Sequence, residues 1–265
     1  MKLLLLQLLA GVALLTLSCQ NQIKKEPSEP DNGVREISFY TPDSIKIFGD
    51  LHIVDKKANT ILLFHQGGSN ARGEYVSIIP KLIEEGLNVL AIDQRVGGQI
   101  YGNYNRTIAN IPTNSFDNGG DTYCDIYDNL ESALDFIIAS DLSGKKILWG
   151  SSYSASLAIQ LAHSRQNDVD GVLAFSPASG GPMQACLPDP YFESLSVPLL
   201  ILRPPNEMEN ENTQAQLESA KKLNHQTYVP TYGVHGSSML VRSRVKNDVQ
   251  DTWDVVLSFI SNIGT

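Results

Sequence analysis

Residues 145–158 read Lys145-Lys146-Ile147-Leu148-Trp149-Gly150-Ser151-Ser152-Tyr153-Ser154-Ala155-Ser156-Leu157-Ala158. The apolar run 147–149 ends abruptly in small residues, and a helix-capable segment follows over 155–162. This pattern predicts a strand, a sharp turn and a helix, with Ser152 at the apex. Such a turn lifts one hydroxyl clear of a sheet and aims the N–H groups of the helix start at the same point. Because it crowds strand against helix, the positions two before and two after the apex must be small. Gly150 and Ser154 occupy them, the second in place of the glycine that G-x-S-x-G prefers. Taken alone, Ser152 reads equally well as an ordinary helix N-cap. The rest of the chain has to decide.

Upstream, Thr60-Ile61-Leu62-Leu63-Phe64 and Leu87-Asn88-Val89-Leu90-Ala91-Ile92 are short apolar runs of the kind buried on both faces of a sheet. Between them Tyr75, Ile79, Leu82 and Ile83 mark one helix face, stopped by Gly86, and Ile126, Leu130, Ala133, Leu134, Ile137 and Ile138 mark a second helix. Further upstream, Ile37/Phe39 and Ile45/Ile47 flank Pro42-Asp43 as an antiparallel hairpin. From 93 to 120 no periodicity appears, which predicts a long loop. Downstream come strands at 171–175, 197–202 and 226–229, helices at 211–223 and around Val249 to Ile260, and a Pro/Gly-rich loop at 176–190. A hairpin followed by alternating strands and helices predicts a mostly parallel sheet covered by helices on both faces. In such sheets chemistry gathers at the carboxyl ends of the strands.

The composition supports one substantial domain: 265 residues, 42% hydrophobic and 18% charged, exclude disorder for the bulk of the chain. A net charge of −9 argues against nucleic acid as a partner. The first residues read as a leader, with Lys2, an apolar stretch through Leu17, and then Ser18-Cys19. A small residue before a cysteine at this point resembles a bacterial lipobox, although Thr16 departs from the aliphatic residue preferred there. The resemblance implies a signal peptide over 1–18, a lipidated Cys19, and a membrane-anchored domain in the cell envelope; ordinary secretion and an uncleaved anchor are the alternatives. Residues 19–33, polar and interrupted by Pro27 and Pro30, read as a flexible tether. Two cysteines then remain, Cys124 and Cys186, which an oxidising compartment lets pair; two separate buried thiols are the other reading.

A serine nucleophile needs a base, a group to orient that base, and donors for the oxyanion. His235, between Gly233 and Gly236 after the last strand, is the histidine in the right order. His52, His163 and His225 read as structural or exposed, and His65 as having another task. The orienting acid should follow the strand at 197–202, where the loop holds Glu207 and Glu209. Glu207 is favoured; Glu209 and Asp189 stay open, and Glu211 is more simply a first-turn acid of the next helix. Asp93 reads as bonding loop backbone together with Arg95. The oxyanion donors should be the N–H of Tyr153 and one from the small-residue loop at 66–69, where Gly67 permits close backbone approach. No His/Cys spacing suits zinc and no phosphate-binding glycine loop with a following lysine occurs, so neither metal nor cofactor is expected. Asn105-Arg106-Thr107 fits a glycosylation sequon.

Taken together, His65-Gln66-Gly67-Gly68, Asp93-Gln94-Arg95, Gly150-Ser151-Ser152-Tyr153-Ser154, Glu207 and His235-Gly236-Ser237 resemble the α/β-hydrolase superfamily, most of all its dienelactone-hydrolase-like serine esterase branch. The likeness spans residues 34–265. It implies an α/β-hydrolase fold without a large cap domain, with Ser152 as nucleophile, Glu207 as acid, His235 as base, and the amides of Gly67 and Tyr153 as oxyanion hole. Three residues depart from the pattern: Ser154 for glycine, Glu207 for the commoner aspartate, and Ser152 where dienelactone hydrolases proper use cysteine. The expected activity is hydrolysis of a small-molecule carboxylic ester through an acyl-enzyme. The rim of the site is expected at 97–120 and 176–190, with Tyr101, Asn103, Tyr104 and Asn105. A peptidase or amidase with the same triad, and a surface lipoprotein that keeps the fold only for binding, are the rival readings.

Overall fold

The computed structural model describes residues 33–111, 122–181 and 183–264. The leader at 1–18, Cys19 and the tether up to residue 32 lie outside the described residues. Among the described residues no helix is long and apolar enough to cross a membrane.

Among the described residues eight strands form one sheet in the order β1-β2-β4-β3-β5-β6-β7-β8. The hairpin of β1 (Val34–Tyr40) and β2 (Lys46–His52) is antiparallel, and β2 joins β4 (Asn88–Asp93) antiparallel. From β4 onward every pairing is parallel: β3 (Thr60–Phe64), β5 (Lys146–Ser151), β6 (Gly171–Phe175), β7 (Leu199–Leu202) and β8 (Gln226–Tyr228). The apolar runs of the sequence are these central strands, and β3, β4 and β6 are buried along their whole length.

Alternate residues of each central strand feed two cores. Leu62, Phe64, Leu90, Ile92 and Leu148 pack with α4 (Tyr127–Ile138) and α5 (Tyr153–Ser164). Ile61, Leu63, Val89, Ile147 and Trp149 pack on the other face with α8 (Gln250–Gly264). This two-faced burial is why the strands read as continuous apolar runs.

The single helix expected around 75–83 is two, α1 (Ala71–Tyr75) and α2 (Ile79–Glu84), divided just before Pro80 in the first turn of α2. The stretch from 93 to 120 contains a short helix, α3 (Arg106–Asn110), capped by the Asn105 side chain accepting from Ile108 N–H. The strand expected at 197–202 begins only at Leu199, because Pro198 has no N–H to donate to a ladder. The helix α6 (Glu211–Lys222), capped by Asn210, and the short α7 (Arg242–Val245) are the remaining α-helices among the described residues.

Candidate active site

β5 ends at Ser151, α5 starts at Tyr153, and Ser152 turns the chain between them with φ 61° and ψ −126°. A side-chain-bearing residue rarely adopts positive φ, and holding it there costs about 1–3 kcal/mol. The turn is fixed from both sides, with Ser152 N–H donating to Phe175 C=O at 2.8 Å and Ala155 N–H to Ser152 C=O at 2.9 Å. Ser152 occupies the N-cap position of α5, yet its side chain makes no capping hydrogen bond. Ser152 lines a cavity instead.

The small flanking residues have separate reasons. A Cβ on Gly150 would overlap the backbone of Ser154 and Ala155. Ser154, fully buried, donates to His65 C=O and accepts from Gln94 Nε2 at 2.8 Å. The hydroxyl that replaces glycine therefore ties the elbow to the ends of β3 and β4. His65 makes the third tie. Its Nε2 accepts from Gln94 N–H at 3.0 Å, which leaves Nδ1 to donate to Gln66 C=O at 2.9 Å. Burial pushes the His65 pKa down, against the Gln66 carbonyl and the Asp93 charge, so the ring is neutral at pH 7.

His235 and Glu207 meet across two loops. His235 Nδ1 lies 2.6 Å from Glu207 Oε1, and Glu207 Oε2 accepts from Arg203 Nη1 at 2.8 Å. Burial opposes ionisation of Glu207, but the bonds and charges of His235 and Arg203 outweigh it and hold the carboxyl below its usual range. The His235 loop is pinned where it passes the elbow. Gly236 N–H donates to Ser176 Oγ at 3.0 Å, Ser237 N–H to Ser151 Oγ at 2.9 Å, and Trp149 Nε1–H to Ser237 Oγ at 2.8 Å. Gly236 has φ +67°, and a Cβ there would overlap Ser151 Oγ, so only glycine fits.

Ser152, Glu207, His235, Gly67 and Tyr153 all line one cavity of about 630 Å³. Neither the Gly67 nor the Tyr153 N–H has an acceptor among the described residues. Of the other acids of the Glu207 region, Glu209 and Glu211 are exposed, and Asp189 accepts from Gln216 Nε2 at 2.8 Å. A second, larger cavity of about 790 Å³ between β2 and α2 is lined mainly by aliphatic residues such as Val34, Ile53 and Ile79. It has no nucleophile with a paired base. Among the described residues no cluster of His, Cys, Asp and Glu suits a metal ion.

Asp93 and Arg95 bond loop backbone as expected, Asp93 accepting Ala71 N–H at 2.9 Å and Arg95 Nη2 donating to Asp125 C=O at 3.2 Å. Each also pairs with a charge, Asp93 with Arg106, whose Nε donates at 2.6 Å, and Arg95 with Asp43. Other expected surroundings differ. Asn105 and Thr107 of the sequon are buried, so that site is closed to a glycan. The rim is formed by Tyr123, by 176–181 with Met183, and by the start of α6 rather than by 101–105; Tyr101 instead bonds Ser238 Oγ. Residues 112–121 lie outside the described residues. Cys124 and Cys186 are joined in a disulfide with Cα atoms 5.6 Å apart, between the rim residues Tyr123 and Met183 and their loops.

Three residues around the site escape sequence reading. Arg203 carries a signal, standing four residues before Glu207 at the strand end. Glu74 is fully buried below the loop at 66–69, where its Oε2 accepts Gln66 N–H at 2.8 Å. Burial raises its pKa to about 7, opposed by the Ser151 hydroxyl, the Gln66 N–H, Arg244 and His235. Tyr123 stacks on Tyr153 with ring centroids 4.7 Å apart. The last two positions have no sequence pattern of their own.

The chain has the α/β-hydrolase fold. It is similar to the Pyrococcus furiosus esterase Pf2001, with a TM-score of 0.65 and 18% identity over 89% of this chain and 92% of that one. A dienelactone hydrolase from Anabaena variabilis matches 84% of this chain and 95% of its own, at TM-score 0.60 and 16% identity. Est1E from Butyrivibrio proteoclasticus, solved with ferulic acid bound, matches 85% and 98% at TM-score 0.62 and 13% identity. No family model and no curated protein matches the sequence.

Proposed function

We propose that this protein is a serine hydrolase that cleaves small carboxylic esters through an acyl-enzyme. The observation that carries the reading is the 2.6 Å contact of His235 with Glu207 beside the same cavity that Ser152 faces from its strained turn. With Nδ1 engaged by Glu207, the imidazole has Nε2 for the proton of Ser152. Ser152 Oγ attacks the ester carbonyl carbon and His235 takes the hydroxyl proton. The negative charge that forms on the carbonyl oxygen is stabilised by the Gly67 and Tyr153 amides, fixed dipoles that need no rearrangement. Collapse expels the alcohol, protonated by His235, and leaves an acyl group on Ser152. Water, deprotonated by His235, attacks that acyl carbon; the acid leaves and Ser152 recovers its proton. Glu207 stays ionised and stabilises the imidazolium.

Hydrolysis of p-nitrophenyl acetate tests this. Activity should vanish in Ser152→Ala and exceed that on matched aminoacyl anilides; an unchanged Ser152→Ala rate overturns the reading, and faster anilide cleavage turns it to amides. We further propose that Cys19 is lipidated and tethers the domain in a bacterial cell envelope. The Cys124–Cys186 disulfide supports an oxidising compartment. Labelled fatty acid should enter the wild type and not Cys19→Ser, and incorporation into both would contradict it.

A further inference from the structure

Tyr123 takes no part in the proposed acyl transfer, and its surroundings are specific. Its ring lies on the ring of Tyr153, the residue directly after Ser152, at 4.7 Å and 30°. Its hydroxyl stands against Gly67 so closely that a Cβ on that glycine would lie 2.8 Å from it. Gly67 itself has no positive φ that would demand glycine, so the requirement at this position is space, and the group that takes the space is the Tyr123 hydroxyl. That hydroxyl has no hydrogen-bond partner among the described residues, and Tyr123, Gly67, Tyr153 and Ser152 border the same cavity. The next residue, Cys124, is bonded to Cys186, so the backbone that carries the tyrosine is clamped to the loop that holds the rim residue Met183.

A phenolic O–H beside the two residues that offer the oxyanion amides, pre-oriented by stacking and by a covalent clamp, has the attributes of an electrostatic donor that pays no reorganisation cost during reaction. We propose that the Tyr123 hydroxyl is a third oxyanion donor, adding a side-chain hydrogen bond to those from the Gly67 and Tyr153 amides, with the Cys124–Cys186 bridge as its positioning device. The proposal rests on the ester-hydrolase reading. No atom is transferred: the phenol keeps its proton and donates a hydrogen bond to the carbonyl oxygen as that oxygen gains charge. A donor aimed at developing charge acts more on the transition state than on bound substrate, so its signature is in kcat.

The test is Tyr123→Phe, which keeps the stacked ring and removes the oxygen. With p-nitrophenyl acetate, kcat should fall by roughly tenfold to a hundredfold, with KM changed by less than about twofold. A trifluoromethyl ketone, which forms a tetrahedral adduct on serine, should lose affinity in proportion, while the carboxylic acid product should not. Breaking the bridge with Cys124→Ser/Cys186→Ser, assayed below that variant's melting temperature, should also lower kcat. It should cost little more once Tyr123→Phe is present, the non-additivity of two groups acting as one. A Tyr123→Phe kcat within twofold of wild type overturns the proposal, as does a loss confined to KM or a bridge effect that is fully additive. Should Tyr123→Phe fold poorly, the ketone series on the bridge variant decides alone, since undiminished ketone affinity there also overturns it. An inactive wild type would instead remove the ester-hydrolase reading, so the two failures are distinguishable.

Discussion

Ser154 stands where the elbow pattern prefers glycine, and its hydroxyl is bonded on both sides, to His65 C=O and Gln94 Nε2. Removing it strands two buried polar partners, which costs about 1–3 kcal/mol. Ser154→Ala should therefore melt several degrees lower than wild type by calorimetry, and an unchanged melting temperature would show the bonds to be idle. Glu74 makes a pH prediction. Its folded pKa of about 7 lies above the 4.5 of an ordinary glutamate, so between these values the folded state holds a proton the unfolded chain has released. Stability from this group is present in full below pH 4.5 and is lost as pH rises through 7, by roughly 3 kcal/mol. Glu74→Gln keeps an acceptor for Gln66 N–H and cannot ionise. Its stability relative to wild type should rise between pH 5 and 8 in denaturant titrations; a constant difference would contradict the assignment. The elbow residues were legible because each has a neighbour-independent reason to be small. Glu74 was not, since its character comes from the burial that only the folded chain supplies.

Elements bring the candidate triad together from three strand ends: the β5–α5 turn, the loop after β7, and the loop after β8. The order of strands and helices made those ends legible, and with them the positions of Ser152, Glu207 and His235. What the order could not supply was which of Glu207, Glu209 and Asp189 meets His235. That depends on the 3-10 turn Pro205–Glu209, which turns Glu207 toward His235 and leaves Glu209 exposed. Glu207→Gln should lower kcat by about a hundredfold or more, as loss of a histidine-orienting carboxylate does, and Glu209→Gln should stay near wild type. Equal losses would move the acid elsewhere. The depressed Glu207 pKa has the opposite sign from Glu74: its stabilisation is present above the usual carboxylate range and disappears as pH falls through the folded value.

At the scale of the molecule, the two-faced sheet was readable because β3, β4 and β6 are buried at every position and carry continuous apolar runs, while hairpin residues on β1 alternate in exposure. Long-range side-chain choices were less so. Arg106 reaching Asp93, or Tyr123 reaching Gly67, has no periodic signature, because loops set those contacts. The Cys124–Cys186 bridge spans 62 residues, a closure worth about 4 kcal/mol in the chain-entropy account. Reduction under native conditions should lower the melting temperature by roughly 10 °C, and an unchanged melt would show that the bridge carries no global stability.

The central claim is that Ser152 is a nucleophile activated by its surroundings, and the most direct measurement is covalent. The folded protein, treated with a fluorophosphonate and digested, should carry the phosphonyl adduct on the peptide containing Ser152. Labelling should be absent from Ser152→Ala and slowed in His235→Ala. A wild type that takes up no probe, or an adduct on any other residue, contradicts the account.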